Sequence, residues 1–460
     1  MTLNNISRAA IIIVSVGALS SCHIYNKFSM PTDDALTSQY VEAVNSETNE
    51  AAFGNMKWQD VFTDPILAGL IDQALVNNTN LNNAKLNVDI AHAQLKGARL
   101  SYLPSLTLMP NASAASYDHS HMNWTYQIPL AVSWEIDIFG KLLNSNRRAK
   151  AALLQSEAYE QAVRSQIIAG VANCYYSISM LEKQLEISRQ TAEYWSESVQ
   201  VMKNLKLAGR VNESAVVQST ANYYSILASI TDLEVALHEA NNSMSLLMNV
   251  PPQTWEIPSG AEFNTPAIVR EGVPMRELAS RPDVRAAEQN VAMAYYATNQ
   301  ARAAFYPGLT ISSNGGFTNL LGSVISNPGK WFIQLAGQLT APIFARGQLI
   351  SNLEATRAQQ QQAMNNFQYA LLSASAEVSE ALMLYNKSDE KAKLLAQQVE
   401  NLQKSVEITE ELLSLNGSST YLEVLTAQQS LLSAQIAQVT CLNAKARAGI
   451  NLYQSLGGGR

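Results

Sequence analysis

The sequence predicts a mainly α-helical chain that carries a membrane β-barrel section and repeats itself once in tandem. Three observations lead there. The first is internal likeness: ARLSYLPSLTL at Ala98–Leu108 returns as ARAAFYPGLTI at Ala301–Ile311, 203 residues later in a chain of 460. Ile138-Phe139 returns as Ile343-Phe344 at an offset of 205, and GRVNESAVVQ at Gly209 returns as GSSTYLEVLT at Gly417 at an offset of 208. A slowly drifting offset is what a duplication with small insertions leaves behind. The second is strict alternation of apolar with mostly polar residues from Trp124 to Ile138. The third is a pair of proline-free helical tracts, each roughly 60 residues and about 90 Å long at 1.5 Å per residue.

The N-terminus has Arg8, an apolar run from Ala9 to Leu19, and then Leu19-Ser20-Ser21-Cys22. The run is too short to span a bilayer and reads as a secretion signal over residues 1–21. A small-residue site ending at a cysteine resembles the bacterial lipoprotein box, which makes Cys22 the candidate lipidation site. An ordinary signal peptide is the alternative, and the apolar-small-small-Cys order favours the lipoprotein. His23 stands where an inner-membrane retention signal usually shows aspartate, consistent with export to the outer membrane. Residues 22–57 are polar and aperiodic and are expected to form a tether.

The first repeat is expected over residues 58–260. Its helical periodicity begins near Trp58 and runs past Thr63-Asp64-Pro65, a good helix start with the proline early, and Leu67, Leu70, Ile71, Ala74 and Leu75 form one stripe. Asn77-Asn78-Thr79-Asn80 breaks it, and a second helix runs from about Leu81 to Tyr102, before Pro104. A hairpin over about 104–138 follows. On its second strand every even residue from Trp124 to Ile138 is apolar, with aromatics flanking an aliphatic centre. That is the pattern of a membrane strand with a wet lumen face. A sandwich strand with one core face is the alternative; the length and the aromatics favour the membrane. Gln127, Ser133, Glu135 and Asp137 fall on the polar face and are the expected pore-lining residues. Glu135 and Asp137 either bias the pore toward cations or simply solvate it. Long helices over about 144–248 complete the unit.

The second repeat, residues 261–460, is expected to hold a helix over about 280–304, a hairpin over about 307–343 and long helices over about 349–453. Trp331–Ile343 alternates less cleanly, because Phe332 and Pro342 fall on the polar face. Each half thus supplies one hairpin, giving four strands per chain. Four strands cannot close a barrel, since single-chain membrane barrels begin at eight. An open sheet in lipid leaves its edge groups unpaired at several kcal/mol each. The chain is therefore expected to assemble with copies of itself, and three copies supply twelve strands, wide enough for a channel.

Helices this long need neighbours side by side, and abundant alanine lets them pack closely into a wall; a solid coiled-coil rod is the alternative. The tips where they reverse are the leading functional candidates. Leu207, Gly209 and Arg210 mark the first tip, and Leu412, Leu415, Asn416, Gly417 and Thr420 mark the second. The glycines permit the positive φ that ends a long helix.

Other chemistry is thin. Charged residues are 15% of the chain and the net charge is −7, which argues against nucleic acid as a partner. His119-Ser120-His121 has too few ligands for a metal site, and Asp33-Asp34 and Glu410-Glu411 point to different helix faces. No Walker loop or nucleophile constellation stands out, so neither an enzyme nor a cofactor is expected. Cys174 and Cys441 read as two separate buried thiols.

Several motifs carry a family resemblance across essentially the whole mature chain. They are Trp58…Phe62…Asp64-Pro65, the run Arg281-Pro282-Asp283-Val284-Arg285-Ala286-Ala287-Glu288, and the prolines Pro104 and Pro307 before the strands. Trp134-Glu135-Ile136-Asp137-Ile138-Phe139-Gly140, Tyr421-Leu422-Glu423-Val424-Leu425 with Ala427-Gln428, and Asn451-Leu452-Tyr453 before Gly457-Gly458-Gly459 complete the set. In this order and within a duplication, the chain resembles the outer-membrane efflux proteins of the TolC type, in their lipoprotein branch.

The resemblance implies a homotrimer in outer-membrane lipid. Its twelve-stranded β-barrel would continue into a twelve-helix periplasmic α-barrel. It also implies a periplasmic adaptor protein and a proton-driven inner-membrane pump as partners, with this chain as the passive conduit for drugs or other small toxic compounds. Family members often carry aspartates near the second tip that form an acidic constriction. Asn416, Ser418 and Ser419 stand here instead, so a water-excluding ring of Leu412 or Leu415 is the expected substitute. Packing of one helix on the next is the plainer role for those leucines. Two rival functions stay open: an exit duct for secreted polypeptides in a type I system, and a non-conducting coiled-coil lipoprotein.

Overall fold

The computed structural model describes residues 24–32, 34–45, 56–116, 118, 121–261, 275–318, 330–415 and 421–459. The signal segment, Cys22, His119, Asn416, Gly417 and Thr420 lie outside the described residues, as do the side chains of Ser414 and Leu415.

In chain order the helices are α1 Ala35–Asn45, α2 Trp58–Val61, α3 Pro65–Asn77 and α4 Thr79–Leu100. Strands β1 Ser105–Leu108, β2 Asn111–Ala115 and β3 Asn123–Ile136 come next, then α5 Lys141–Leu207 and α6 Glu213–Leu247. The second half gives α7 Met275–Ser280, α8 Pro282–Ala303, β4 Gly308–Thr318, β5 Lys330–Thr340, α9 Gln348–Leu415 and α10 Tyr421–Ser455. At 67 and 68 residues, α5 and α9 are each roughly 100 Å long. Two compact units emerge, and neither is one sequence half. One draws on the described residues of Met1–Ser38, Leu86–Ala158 and Arg285–Ala370; the other draws on Gln39–Lys85, Tyr159–Val284 and Leu371–Arg460.

The first unit holds the sheet, in the order β1-β3-β4-β5 with β2 also on β3, all antiparallel. β1 and β2 are successive pieces of one partner to β3, broken at Met109-Pro110, where the Met109 amide still donates to the Pro129 carbonyl at 3.1 Å. The sheet is therefore four strands across, as the alternation predicts. Register joins the greasy positions into one face: Leu106↔Val132, Trp134↔Ile311, Ile128↔Phe317, Leu309↔Leu339 and Phe317↔Trp331. Many of these side chains are exposed, Leu335 at 76% and Trp124 at 61%. The opposite face also carries largely accessible positions, so neither face is packed as a core. That disfavours the sandwich alternative.

Two boundaries differ from expectation. β3 ends at Ile136 rather than Ile138, because Asp137 turns to cap α5: its Oδ2 accepts from the Leu143 amide at 2.7 Å. β5 ends at Thr340, short of Ile343, which is 98% exposed.

The expected tether over 22–57 is corrected for its described part. Ala35–Asn45 is helical, with Thr37 and Tyr40 buried on one side, an i, i+3 stripe masked by the polar residues around it. Residues before it are tied to the first unit. Asn144 Nδ2 donates to the Ile24 carbonyl at 3.0 Å, Arg147 Nη1 donates to the Tyr25 and Asn26 carbonyls at 2.9 Å, and the Phe28 amide donates to Tyr296 Oη at 3.2 Å. Backbone carbonyls recognised by side chains leave no trace in hydropathy.

In the second unit, the helical periodicity from Trp58 is interrupted between α2 and α3, and α3 begins at the Thr63-Asp64-Pro65 start. Asp64 sits outside the helix as the N-cap of α3, its Oδ1 accepting from the Ile66 and Leu67 amides at 2.8 and 3.3 Å. Its Oδ2 accepts from Tyr175 Oη at 2.6 Å, and burial pushes the Tyr175 phenol well above its ordinary range. Trp58, Phe62 and Tyr175 are all buried. At the other chain end, Tyr453 Oη donates to the Met56 carbonyl at 2.7 Å and accepts from the Gly459 amide at 2.9 Å. The two cysteines are free thiols that donate to different carbonyls, Cys174 to Ala240 at 3.3 Å and Cys441 to Ser388 at 3.5 Å. Burial pushes the Cys174 thiol up to about 11.

Candidate functional site

The first tip is built by local hydrogen bonding. The Arg210 amide donates to the Leu205 carbonyl and the Gly209 amide to the Lys206 carbonyl, each at 2.9 Å, with Gly209 at φ +72°. This pair of bonds is a Schellman motif, which satisfies the last carbonyls of α5. Asn212 then caps α6, its Oδ1 accepting from the Ala215 amide at 3.1 Å. Lys206 and Glu213 form an ion pair across the turn. Leu207 is 85% exposed at the apex.

At the second tip α9 reaches Leu415 and α10 starts at Tyr421. Leu412 is partly exposed. Just behind the tips, Ala192, Trp195, Ile226 and Leu425 form a buried cluster flanked by Tyr421 and Leu432, tying both helix pairs together.

The sheet supplies the second part of the site. Glu135 pairs with Thr310, Ser133 with Ser312, and Gln127 with Thr318, so all three predicted residues share the face opposite the apolar one. Gln338 and Gln334 extend it through their pairing with Thr310 and Asn314. Glu135 is held by Lys141 at 2.7 Å, which offsets its charge. Asp137 stands apart from this face, as the helix cap described above.

One residue that the sequence offered only as part of a motif turns out to be a node. Arg281, at the break between α7 and α8, has a side chain just 7% exposed and binds Asp283 and Glu377, each at 2.7 Å, along with the Ser455 carbonyl at 2.7 Å. Its position directly before Pro-Asp at a helix start was the available signal. Asp389, accepting from Lys445 at 2.6 Å and Lys393 at 2.8 Å, is held down to about 2 by those two cations.

The family profile described as outer membrane efflux protein matches this chain over residues 70–250 and 273–458. The chain belongs to the outer membrane efflux protein family. Among its relatives, the probable outer membrane lipoprotein SilC of Salmonella typhimurium is 28% identical over 97% of both chains. The cation efflux system protein CusC of Escherichia coli K12 is 26% identical over 96% of this chain and 97% of its own. The open-state structure of the Neisseria gonorrhoeae MtrE outer membrane channel superposes with a TM-score of 0.80 at 26% identity, covering 90% of this chain and 94% of that one. This outer-membrane efflux protein is therefore a channel of the outer membrane by family, with the mostly helical fold and short strand section of its relatives. Among its described residues no helix is long and apolar enough to cross a membrane.

Proposed function

We propose that this protein is the trimeric outer-membrane exit channel of a tripartite efflux pump, docked through its tips to a periplasmic adaptor and an inner-membrane pump driven by protons. The observation that carries this reading is the open four-stranded sheet, apolar on one face and polar on the other. Among the described residues β1/β2 and β5 each pair with a strand on one side only, and lipid does not tolerate an open sheet edge. Three copies joined edge to edge close twelve strands around a lumen lined by Gln127, Ser133 and Glu135. Small toxic compounds are the proposed cargo, and the chain is a passive conduit for them. The name of CusC, a cation efflux system protein, supports metal cations as a second cargo class.

Single-channel recording of the purified protein in a planar bilayer tests the reading. Small, mostly closed, cation-leaning steps are expected; a folded trimer that inserts and never conducts, even with its tips altered, moves the protein to a structural role.

Two variants refine the picture. Leu412→Ser with Leu415→Ser is expected to raise conductance, because a polar ring admits water where an apolar one excludes it. Unchanged conductance in a folded trimer assigns these leucines to helix packing alone. Cys22→Ser removes the proposed acyl anchor, each CH₂ of which contributes about 0.8 kcal/mol. The barrel already holds the protein in lipid, so trimer yield and conductance are expected to stay at wild-type levels, while labelling with radioactive palmitate is lost. Loss of the trimer in Cys22→Ser overturns that division of labour.

A further inference from the structure

We propose that the helix ends next to the sheet form a basic collar that binds the phosphate head groups of anionic phospholipid. The inference rests on the reading of the sheet as the part that lies in the membrane. The ten residues nearest the sheet in each of α4, α5, α8 and α9 hold eight lysines and arginines and one acid, Glu354. This runs against the net charge of the chain, which is −7. α5 supplies Lys141, Arg147, Arg148 and Lys150, α4 supplies Lys96 and Arg99, and α8 and α9 add one each. Ion pairing is as uneven as the charge. Among the described residues only Lys141 of these eight is in an ion pair, with Glu135. In the second unit, by contrast, eight lysines and arginines are paired. Arg147 is occupied by the Tyr25 and Asn26 carbonyls. Lys96, Arg99, Arg148 and Lys150 are exposed, and like charges gathered without acids favour an anionic partner.

What lies beside the collar identifies the anion. Trp134 donates its Nε1–H to the Tyr102 carbonyl at 2.9 Å, and Phe139 stacks on Tyr306 with ring centres 4.9 Å apart. Tyr102 and Tyr306 closely follow α4 and α8, and Phe139 closely precedes α5. Tryptophan and tyrosine gathered at one level mark a membrane–water interface, and here the basic helix ends begin where that level stops. Ten helical residues rise about 15 Å, and head groups occupy roughly 5–7 Å beyond the hydrocarbon. Long basic side chains extend toward the head groups, so the nearest cations, Lys96 and Arg99, meet phosphate directly. Arg148 and Lys150 act from within about a Debye length, ~8–10 Å. The apolar sheet face next to the collar makes a lipid phosphate, rather than a soluble polyanion, the anion at hand.

Tryptophan quenching in vesicles tests this. The full-length protein is reconstituted in phosphatidylcholine with a minor share of brominated phosphatidylglycerol or, in parallel, of brominated phosphatidylcholine. Trp124, Trp134 and Trp331, all exposed on the apolar face of the sheet, report which lipid adjoins it. Wild type is expected to prefer the anionic lipid about twofold at low salt. That preference is expected to vanish in about 1 M NaCl, where the Debye length is about 3 Å. It is also expected to vanish in Lys96→Gln/Arg99→Gln/Arg148→Gln/Lys150→Gln; the salt series on wild type decides the matter where this variant fails to fold. Equal quenching of wild type by the two lipids, or a preference that survives salt or the substitutions, overturns the proposal and leaves the channel reading intact. Quenching by neither lipid takes the sheet out of the membrane and overturns both.

Discussion

Gly316→Val is expected to abolish the folded barrel. Gly316 faces Pro129 across the β3–β4 ladder, and a Cβ there would lie 2.1 Å from the Ile128 carbonyl oxygen and 2.9 Å from Pro129 Cα. Those are backbone atoms of the adjacent strand, so no rotamer change relieves the clash; the strands must part. Pro129 already lacks an amide to donate, so the ladder is one bond short at this point before any strain is added. Parting two or three of the ten register pairs exposes several polar groups to lipid at several kcal/mol each, comparable with the 5–15 kcal/mol that holds a typical protein folded. The adjacent Gly315 gives the internal control. A Cβ there meets only the Phe332 carbonyl at 3.7 Å, an ordinary contact, so Gly315→Ala is expected to assemble normally. Folded oligomer in the outer-membrane fraction, read by unheated against heated gel electrophoresis, separates the two. Wild-type levels of oligomer for Gly316→Val would falsify the register.

The alternation from Trp124 to Ile136 was legible because period two is a property of neighbours in sequence and survives any tertiary context. The long helices were legible for the same reason, together with their want of proline; α5 and α9 begin within a few residues of the expected positions. Hidden features depend on partners distant in the chain. Asp64 read as part of a helix start, but that its second oxygen is held by Tyr175, 111 residues on, could not be seen. Asp137 continued the strand period, yet the start of α5 claims its carboxylate. Ile24–Phe28 carries no periodicity at all and is fixed through its backbone by Asn144, Arg147 and Tyr296. At the tips, Gly209 announced its positive φ, but the ion pair of Lys206 with Glu213 follows only once the turn geometry exists.

Arg281→Ala is expected to destabilise the helical unit by about 2–4 kcal/mol, and the size of the loss follows from which partners can recover in water. The guanidinium donates through Nε and Nη2 to both oxygens of Asp283, at 3.0 and 2.7 Å, through Nη2 to Glu377 at 2.7 Å, and through Nη1 to the Ser455 carbonyl at 2.7 Å. Burial by itself disfavours this charge; the two carboxylates overcome that and raise its pKa above the ordinary value. On truncation, Asp283 and Glu377 are about half exposed and can hydrate, so neither becomes a stranded buried charge. Ser455 is 8% exposed, and its carbonyl loses its donor in a place water reaches poorly. The loss therefore falls at or below the lower part of the 3–5 kcal/mol range for breaking a fully buried pair. Arg281→Lys keeps the charge but replaces a planar fork with a point donor that cannot serve Asp283, Glu377 and Ser455 together, so most of the loss is expected to remain. Adding Glu377→Gln to Arg281→Ala removes one unmatched carboxylate and should return a part of it. Denaturant unfolding of the detergent-solubilised trimer ranks the four proteins. If Arg281→Lys matches wild type, the fork geometry contributes nothing and Arg281 acts only as a positive charge beside two negative ones.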